Sequence, residues 1–437
     1  MPAELKLEDM QIPSLGTSRI DNPLRRTNGT VFVSDEERVL YDDVAAIPGA
    51  AAVTRPLISM ERAGPRAKTF FDPSKTKAGI VTCGGLCPGI NDVIRAIVLC
   101  LWRLYGVRHI YGFKYGYEGF IASCEHPVLE LNPDVVDGWQ ETGGTKLGSS
   151  RGPQETVEIV DCLERMGINI LFVIGGDGTL RGAMDISTEI QNRNERISVI
   201  GIPKTIDNDI MFIDESFGFQ TAFETAVPSL ICAHTEAKGA FNGVGLVKLM
   251  GRHSGFIACS AALSMSDVNF VLIPEVPFDL HGPRGFLPAL KRRLKSRTHA
   301  VVVVAEGAGQ NLLPTTVERD ASGNQKLQDI GLFLKDQIND YLKREKIAHT
   351  VKYIDPSYII RSVPANASDS VYCLQIGHDA VHAAMAGKTA AIVGRWHGIN
   401  VHIPMQVATM ERKQVDPSRP LWRSVLESTG QEAWYSE

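Results

Sequence analysis

Glycines, carboxylates and a lysine crowd two neighbouring stretches of this chain in an order that suits phosphate chemistry. An apolar run, Ile170 to Ile174, is followed by Gly175-Gly176-Asp177-Gly178-Thr179, with Gly182 and a helical stretch behind it. Glycines between a strand and a helix let the backbone approach phosphate oxygens, which also feel the positive end of the helix. Asp177 inside that turn would repel a phosphate unless a cation such as Mg²⁺ lay between them. A second apolar run, Ile197 to Ile202, leads into Pro203-Lys204-Thr205-Ile206-Asp207-Asn208-Asp209. Two more carboxylates, an ammonium and a hydroxyl thus arrive near the same sheet edge. These are the parts of phosphoryl transfer to a hydroxyl. Each residue also has a plainer reading, Asp177 as a turn residue and Asp207 or Asp209 as a helix cap.

The elements that must position these groups alternate along the chain. From Lys77 a strand over 78–82 runs into Cys83-Gly84-Gly85-Leu86-Cys87-Pro88-Gly89-Ile90-Asn91, and Val93, Ile94, Ile97, Val98 and Leu101 then recur at helical spacing. Strand, glycine turn and helix make a phosphate-binding βα unit. His109 to Phe120 is rich in Gly and Tyr and reads as a ligand-facing loop. Thr142 to Arg151 is a polar loop, and a helix over 155–166 leads back to the strand at Ile170. After Asp209 the rhythm repeats. Helices over 221–234, 284–295 and 330–344 alternate with strands over 243–249, 270–274, 299–305 and 350–353, and Met250-Gly251-Arg252-His253-Ser254-Gly255 follows the first of these strands. The reading is α/β, with two similar lobes of Rossmann-like, three-layer type, mostly parallel sheets and a ligand in the cleft at the carboxyl ends of the strands.

With 437 residues the chain has room for two or three domains, and 44% apolar with 22% charged content is ordinary for a globular protein. A net charge of −5 gives no basic footprint for nucleic acid, so anionic ligands need local cations. No apolar run approaches the roughly 18 residues that span a bilayer. The first residues carry no signal core and Tyr435-Ser436-Glu437 is not a peroxisomal address, so no membrane and a cytoplasmic location are expected. The eight cysteines, among them Cys100, Cys162, Cys232 and Cys259 in apolar stretches, read as reduced structural thiols. His378 and His382 stand at i, i+4 and read as one face of a helix. Gly387-Lys388-Thr389 lacks the upstream glycine of a P-loop.

Six motifs, in order, resemble those of 6-phosphofructokinases of the bacterial-type superfamily. They are Gly84-Gly85 with Pro88-Gly89 and Asn91, Gly148-Ser149-Ser150-Arg151, Gly176-Asp177-Gly178, Thr205 to Asp209, Met250-Gly251-Arg252 and Glu306. The likeness runs from about residue 79 to 394. It implies ATP-dependent phosphorylation of the 1-hydroxyl of fructose 6-phosphate, with Asp207 as general base and Asp177 on Mg²⁺. It implies Gly85, Tyr117, Arg151, Gly152, Gly176, Gly178 and Thr179 around the nucleotide, although Tyr117 also reads as simple packing. Thr205, Arg252 and Arg151 would stabilise the transferring phosphoryl group, with Asp209 assisting. Ile206, Met250, Gly251, Arg252 and Glu306 would hold the sugar, and Lys352, Tyr358 and Arg361 its 6-phosphate.

The same resemblance implies a homo-oligomer, dimer or tetramer, with Lys352 serving a neighbour's site. It also implies an allosteric enzyme, with Arg95 matching one bacterial effector-site arginine. It divides the chain into an appended arm (1–76), a nucleotide-binding lobe (77–219 with 361–410), a sugar-phosphate lobe (220–360) and a tail (411–437). Gly243 stands where a partner's arginine is expected. Gly178 is typical of ATP users and Lys204 of pyrophosphate users, a mixture that resembles the longer plant and trypanosomatid ATP-dependent enzymes. The alternatives are a pyrophosphate-dependent phosphofructokinase and a catalytically silent regulatory subunit, though the latter would usually have lost Asp207 or Asp177. Lipid and NAD kinases share the Gly-Gly-Asp-Gly turn but lack the later loops. A dehydrogenase is disfavoured by Asp177.

Overall fold

The computed structural model describes residues 5–26, 29–42, 58–314, 318–319 and 325–432. Parts of the expected arm (1–4, 27–28, 43–57), of the polar loop expected over 312–325 and of the tail (433–437) lie outside the described residues. The strands run, in chain order, β1 (Ile20–Asp21), β2 (Arg38–Leu40), β3 (Ser59–Arg62), β4 (Lys68–Thr69), β5 (Lys77–Thr82), β6 (His109–Phe113), β7 (Val128–Glu130), β8 (Ile170–Gly175) and β9 (Ser198–Pro203). They continue with β10 (Gly243–Leu249), β11 (Phe270–Leu272), β12 (His299–Ala305), β13 (Thr350–Ile354), β14 (Ala391–Trp396) and β15 (Ile399–Pro404). The α-helices are α1 (Ile90–Leu99), α2 (Thr156–Met166), α3 (Asp177–Asn192), α4 (Phe219–Lys238), α5 (Phe256–Met265), α6 (Phe286–Arg297), α7 (Ile330–Arg344), α8 (Ala367–Met385), α9 (Met405–Ala408) and α10 (Pro420–Thr429).

Two compact units result, each with its own sheet. The first takes the described residues of 5–205, 210–218 and 364–411. Its nine-stranded sheet has the order β2-β3-β15-β14-β9-β8-β5-β6-β7. The middle strands β6, β5, β8, β9 and β14 pair in parallel, and antiparallel partners finish both edges. β8 and β9 are buried along their whole length, which is why their sequences are continuous apolar runs. Leu171, Val173 and Val199 meet Ile159, Leu163, Leu180 and Ile186 of α2 and α3 on one face, and α8 packs on β9 and on α1.

The second unit takes 206–209, 219–363 and 412–432. Its sheet, β11-β12-β10-β13, is parallel throughout. Leu246, Val302 and Val304 bury themselves with Leu290 of α6 and with Leu334 and Ile338 of α7, and α4 packs on β10. The protein is therefore α/β with parallel-cored sheets. No helix among the described residues is long and apolar enough to cross a membrane.

Several segments differ from their sequence reading. The arm supplies β2 and β3 to the large sheet, and a buried ionic cluster fastens it there. Glu61 on β3 lies 2.6 Å from Arg66 Nη2, 3.0 Å from Lys388 Nζ and 2.9 Å from His402 Nδ1. Asp35 meets the same Arg66 and Lys388 at 2.7 and 3.1 Å. The Lys388 that imitated a P-loop lysine therefore serves this cluster. His109 to Phe120, expected as loop, is strand β6 and a 3₁₀ turn, because Ile110, Gly112 and Phe113 are buried in the sheet. Residues 412–432 belong to the second unit: α10 packs on α5 and β11, and Gln431 pairs with both backbone groups of Val271. Cys232 is exposed on α4 and not inside an apolar core, while the other cysteines are wholly or partly buried, and all eight are free thiols. His382 lies buried on α8, 2.8 Å from the Tyr105 hydroxyl, and burial pushes its pKa down to about 3.

Candidate active site

In the first unit, four loops meet at the carboxyl ends of β5, β8 and β9. The Gly84 N–H donates to the Ser150 carbonyl at 3.1 Å, and Ser149 Oγ donates back to the Gly84 carbonyl at 2.6 Å. The Thr82 hydroxyl donates to the Gly148 carbonyl at 2.7 Å. Asn91 holds the preceding polar loop from both ends of its amide, giving to Thr142 O and accepting from Lys146 N, each at 2.9 Å. Lys204, 5% exposed, donates to the Gly85 carbonyl at 2.6 Å. These bonds shape a glycine-lined cradle, and Arg151 and Gly152 continue from it, with Arg151 exposed.

Asp177 is the first residue of α3, and Gly176 before it is extended. Its carboxylate is mostly covered and lies 3.3 Å from Arg181, one turn on. Gly178 is already helical, and a Cβ there would meet nothing within 4 Å. Gly175 tolerates no side chain, because Thr179 would lie 2.3 Å from its Cβ. Tyr117 is buried, with its hydroxyl donating to the Thr179 carbonyl at 2.7 Å. Its ring packs against Gly182, so it positions the start of α3.

The acidic loop opens in the first unit, where the Thr205 carbonyl accepts from Ser216 Oγ at 2.5 Å, and Ile206 to Asp209 count with the second unit. There Ser254 Oγ donates to the Asp207 carbonyl at 2.8 Å, and the Arg252 N–H donates to the Asp207 carboxyl. Burial pushes the Asp207 pKa up, the nearby Asp209 and Glu306 carboxylates push it further, and Arg252 N–H and Arg412 oppose them; the result is about 8. This lies well above the ordinary carboxylate range. Glu306 is raised too, by burial, against the cations Lys248, Arg252 and Arg361. Asn208 adopts a left-handed backbone with φ 55°, a conformation that Asn tolerates.

Met250-Gly251-Arg252 forms a turn that only glycine allows at two places. Gly251 has φ 130°, and a Cβ on Gly307 would lie 2.0 Å from the Arg252 carbonyl oxygen. The bond from Gly307 N–H to Gly251 O at 3.1 Å fixes Glu306 beside this turn. Tyr358 is 74% exposed, with the Arg361 guanidinium 5.0 Å from its ring centroid. Lys352 is exposed on β13 and 3.6 Å from Glu236. At Gly243 any side chain is excluded, since its Cβ would stand 2.1 Å from the Ala237 carbonyl.

Sequence reasoning missed a second set of groups on the acidic loop. Arg412 Nη1 lies 3.0 Å from Asp209 Oδ2, and Lys413 Nζ donates to Asn208 Oδ1 at 2.9 Å. Glu275 Oε1 accepts from Gly255 N–H at 2.9 Å and from Val415 N–H at 2.8 Å. No glycine turn or acidic motif marks Arg412 or Lys413. They were read as tail, and only the three-dimensional contact reveals them.

This chemistry agrees with the known proteins the chain is similar to. Residues 77–384 match the family model described as Phosphofructokinase. The chain is 52% identical to the ATP-dependent 6-phosphofructokinase of Borreliella burgdorferi over 97% of each chain. It is 43% identical to that of Trypanosoma brucei brucei, over 97% of this chain and 87% of the other. The solved structure of a pyrophosphate-dependent phosphofructokinase from Marinobacter aquaeolei aligns with a TM-score of 0.66 at 21% identity, over 81% of this chain and 91% of that one, which speaks to the fold alone. A glycine cradle, Asp177 at a helix start, a buried acidic loop and a family match across all of them lead to one assignment: the chain belongs to the phosphofructokinase family.

Proposed function

We propose that this protein transfers the γ-phosphoryl group of ATP to the 1-hydroxyl of D-fructose 6-phosphate, giving fructose 1,6-bisphosphate and ADP, a step of glycolysis. The observation that carries the reading is near-complete mutual coverage with an ATP-dependent relative at 52% identity. Asp207 accepts the hydroxyl proton. A base with a pKa near the working pH combines a usable ionised fraction with real proton affinity, and the carboxyl at about 8 is of that kind. In a loose phosphoryl-transfer transition state the proton leaves late, so positioning and charge supply most of the rate. Arg252, Thr205 and Arg151 serve the transferring group, with Asp209 beside Asp207. Met250, Gly251 and Glu306 hold the sugar, and Arg361 with Tyr358 its phosphate.

The donor set at Asp177 fits Mg²⁺ carried by a nucleotide. That ion takes one or two carboxylates together with phosphate and water oxygens, and among the described residues no group of three or more His, Cys, Asp or Glu could hold a metal ion. Bound there, Mg²⁺ would neutralise the β- and γ-phosphates and draw them together. The cradle of Gly85, Gly176, Gly178 and Thr179 supplies backbone toward the phosphates, and Tyr117 acts from beneath it.

Lys204 favours the pyrophosphate reading in sequence, yet one of its N–H groups is committed to the Gly85 carbonyl. It acts as a brace of the cradle in either case, and ATP is the donor. An aldolase-coupled assay with fructose 6-phosphate tests this. ATP should support turnover at least about a hundredfold better than pyrophosphate at matched Mg²⁺, a preference of roughly 3 kcal/mol. Faster turnover with pyrophosphate would overturn the assignment.

A further inference from the structure

Four consecutive residues, 412–415, bind the second unit's two candidate catalytic loops at once. The Lys413 N–H donates to the Asp209 carbonyl at 2.9 Å while Arg412 Nη1 stands 3.0 Å from the Asp209 carboxylate. Lys413 Nζ donates to Asn208 Oδ1 and lies 5.1 Å from the Phe256 ring centroid. Gln414 Nε2 donates to the His253 carbonyl at 3.1 Å, and Val415 N–H shares Glu275 Oε1 with Gly255 N–H. The strap therefore grips Asn208 and Asp209 on one side and His253 and Gly255 on the other. Asp209, 7% exposed, has lost most of its water, so its contact with Arg412 replaces solvent as its partner.

We propose that Arg412 is a positioning residue for phosphoryl transfer: through Asp209 it holds the acidic loop in its working shape and governs how readily Asp207 takes the acceptor's proton. The inference rests on the functional reading given above. The charged groups acting on Asp207 come from three segments. Asp209 is on its own loop, Glu306 follows β12 and Arg412 is on the strap; the Arg252 backbone N–H adds a hydrogen bond. His253, facing Arg252, Arg412 and Asp209, is held neutral toward lower pH by burial and then by the two arginines. Arg412 acts on Asp207 directly by its charge and indirectly by holding the Asp209 side chain in place. Removing the cation makes the Asp207 carboxyl harder to ionise, so the acid limb of the kcat/KM profile rises in pH.

The experiment is kcat/KM against pH for wild type, Arg412→Gln, Arg412→Lys, Asp209→Asn and the double variant Arg412→Gln/Asp209→Asn, with thermal melts alongside. Arg412→Gln should move the acid limb up by about one pH unit, a tenfold loss below the limb that is recovered at high pH. Arg412→Lys, a charge without the planar fork, should move it the same way by less, and it gives the reading if Arg412→Gln does not fold. In the Asp209→Asn background only the direct charge effect of Arg412 on Asp207 is left, so the Arg412→Gln displacement should shrink without vanishing. A uniform loss at every pH, an unmoved limb in the variant that folds, or an undiminished displacement without Asp209 overturns the proposal. If the wild type phosphorylates no fructose 6-phosphate, the functional reading fails instead. The protonated-carboxyl infrared band, assigned by its loss in Asp207→Asn, then reads the proposal directly: its titration should rise in Arg412→Gln, and an unmoved midpoint overturns it.

Discussion

At the scale of single residues, protonation and open space decide the outcome. Asp207→Asn should cut turnover by about 10²–10⁴-fold, the range for a lost general base, with little change in fructose 6-phosphate binding; near-normal turnover in a pure preparation would remove it from that role. The acid limb of wild-type kcat/KM should lie far above the usual aspartate range, toward the value of about 8 for the unliganded carboxyl. Asp209→Asn removes a like charge and so should lower that limb, which a pH series reads directly. Gly178→Asp is a clean probe of donor choice, because a Cβ there meets nothing within 4 Å and the helix start need not move. Its carboxylate would face the nucleotide's phosphates with a repulsion of roughly 4 kcal/mol at 4 Å and an effective dielectric near 20, before screening. Loss of ATP use with an unchanged melting temperature is expected, and retained ATP turnover would show that the nucleotide passes elsewhere. Asp177, Asp207 and Asp209 were legible because glycine turns and an acidic loop after apolar runs are local patterns. The raised Asp207 pKa was not, since it comes first from burial and then from Asp209 and Glu306, and no spacing in the sequence shows the burial or ties Glu306 to this loop.

At the scale of elements, the alternation of buried strands with helices was legible, because β8 is apolar throughout and β9 and β12 are so after their first residues, Ser198 and His299. The antiparallel edges were not. β2 and β3 are short, and their place depends on ion pairs with Arg66, Lys388 and His402 instead of on hydrophobic period. Burial pushes the Glu61 pKa up, but the His402 hydrogen bond and charge, with Lys388 and Arg66, hold it down at about 2. A depressed carboxylate contributes stability above its ordinary value near 4.5, and that stability is lost as pH falls from there toward 2. Glu61→Gln leaves buried cations uncompensated and should cost about 3–5 kcal/mol. Urea unfolding at neutral pH measures this, and the difference from wild type should shrink as pH approaches 2. A loss below about 1 kcal/mol would mean the cluster is solvated and of little weight.

At the scale of the whole molecule, the resemblance makes Lys352 a cation for a neighbour's 6-phosphate. Its contact with Glu236 at 3.6 Å, both side chains half exposed, costs little to break. Lys352→Ala should raise KM for fructose 6-phosphate by about tenfold and change kcat far less, since the 6-phosphate is remote from the bond being made. A fully active monomer in sedimentation under assay conditions would contradict this arrangement. The strap that closes on Asp209 has a consequence for biosynthesis. Arg412 and Asp209 are separated by 203 positions, so on the ribosome the acidic loop exists long before the residues that brace it. The last strand, β15, ends at Pro404, so a chain clipped after 411 would keep its strands yet lack the brace. Competence for catalysis is thus a late event in the life of each molecule, and limited carboxyl-terminal proteolysis should silence the protein well before it unfolds it.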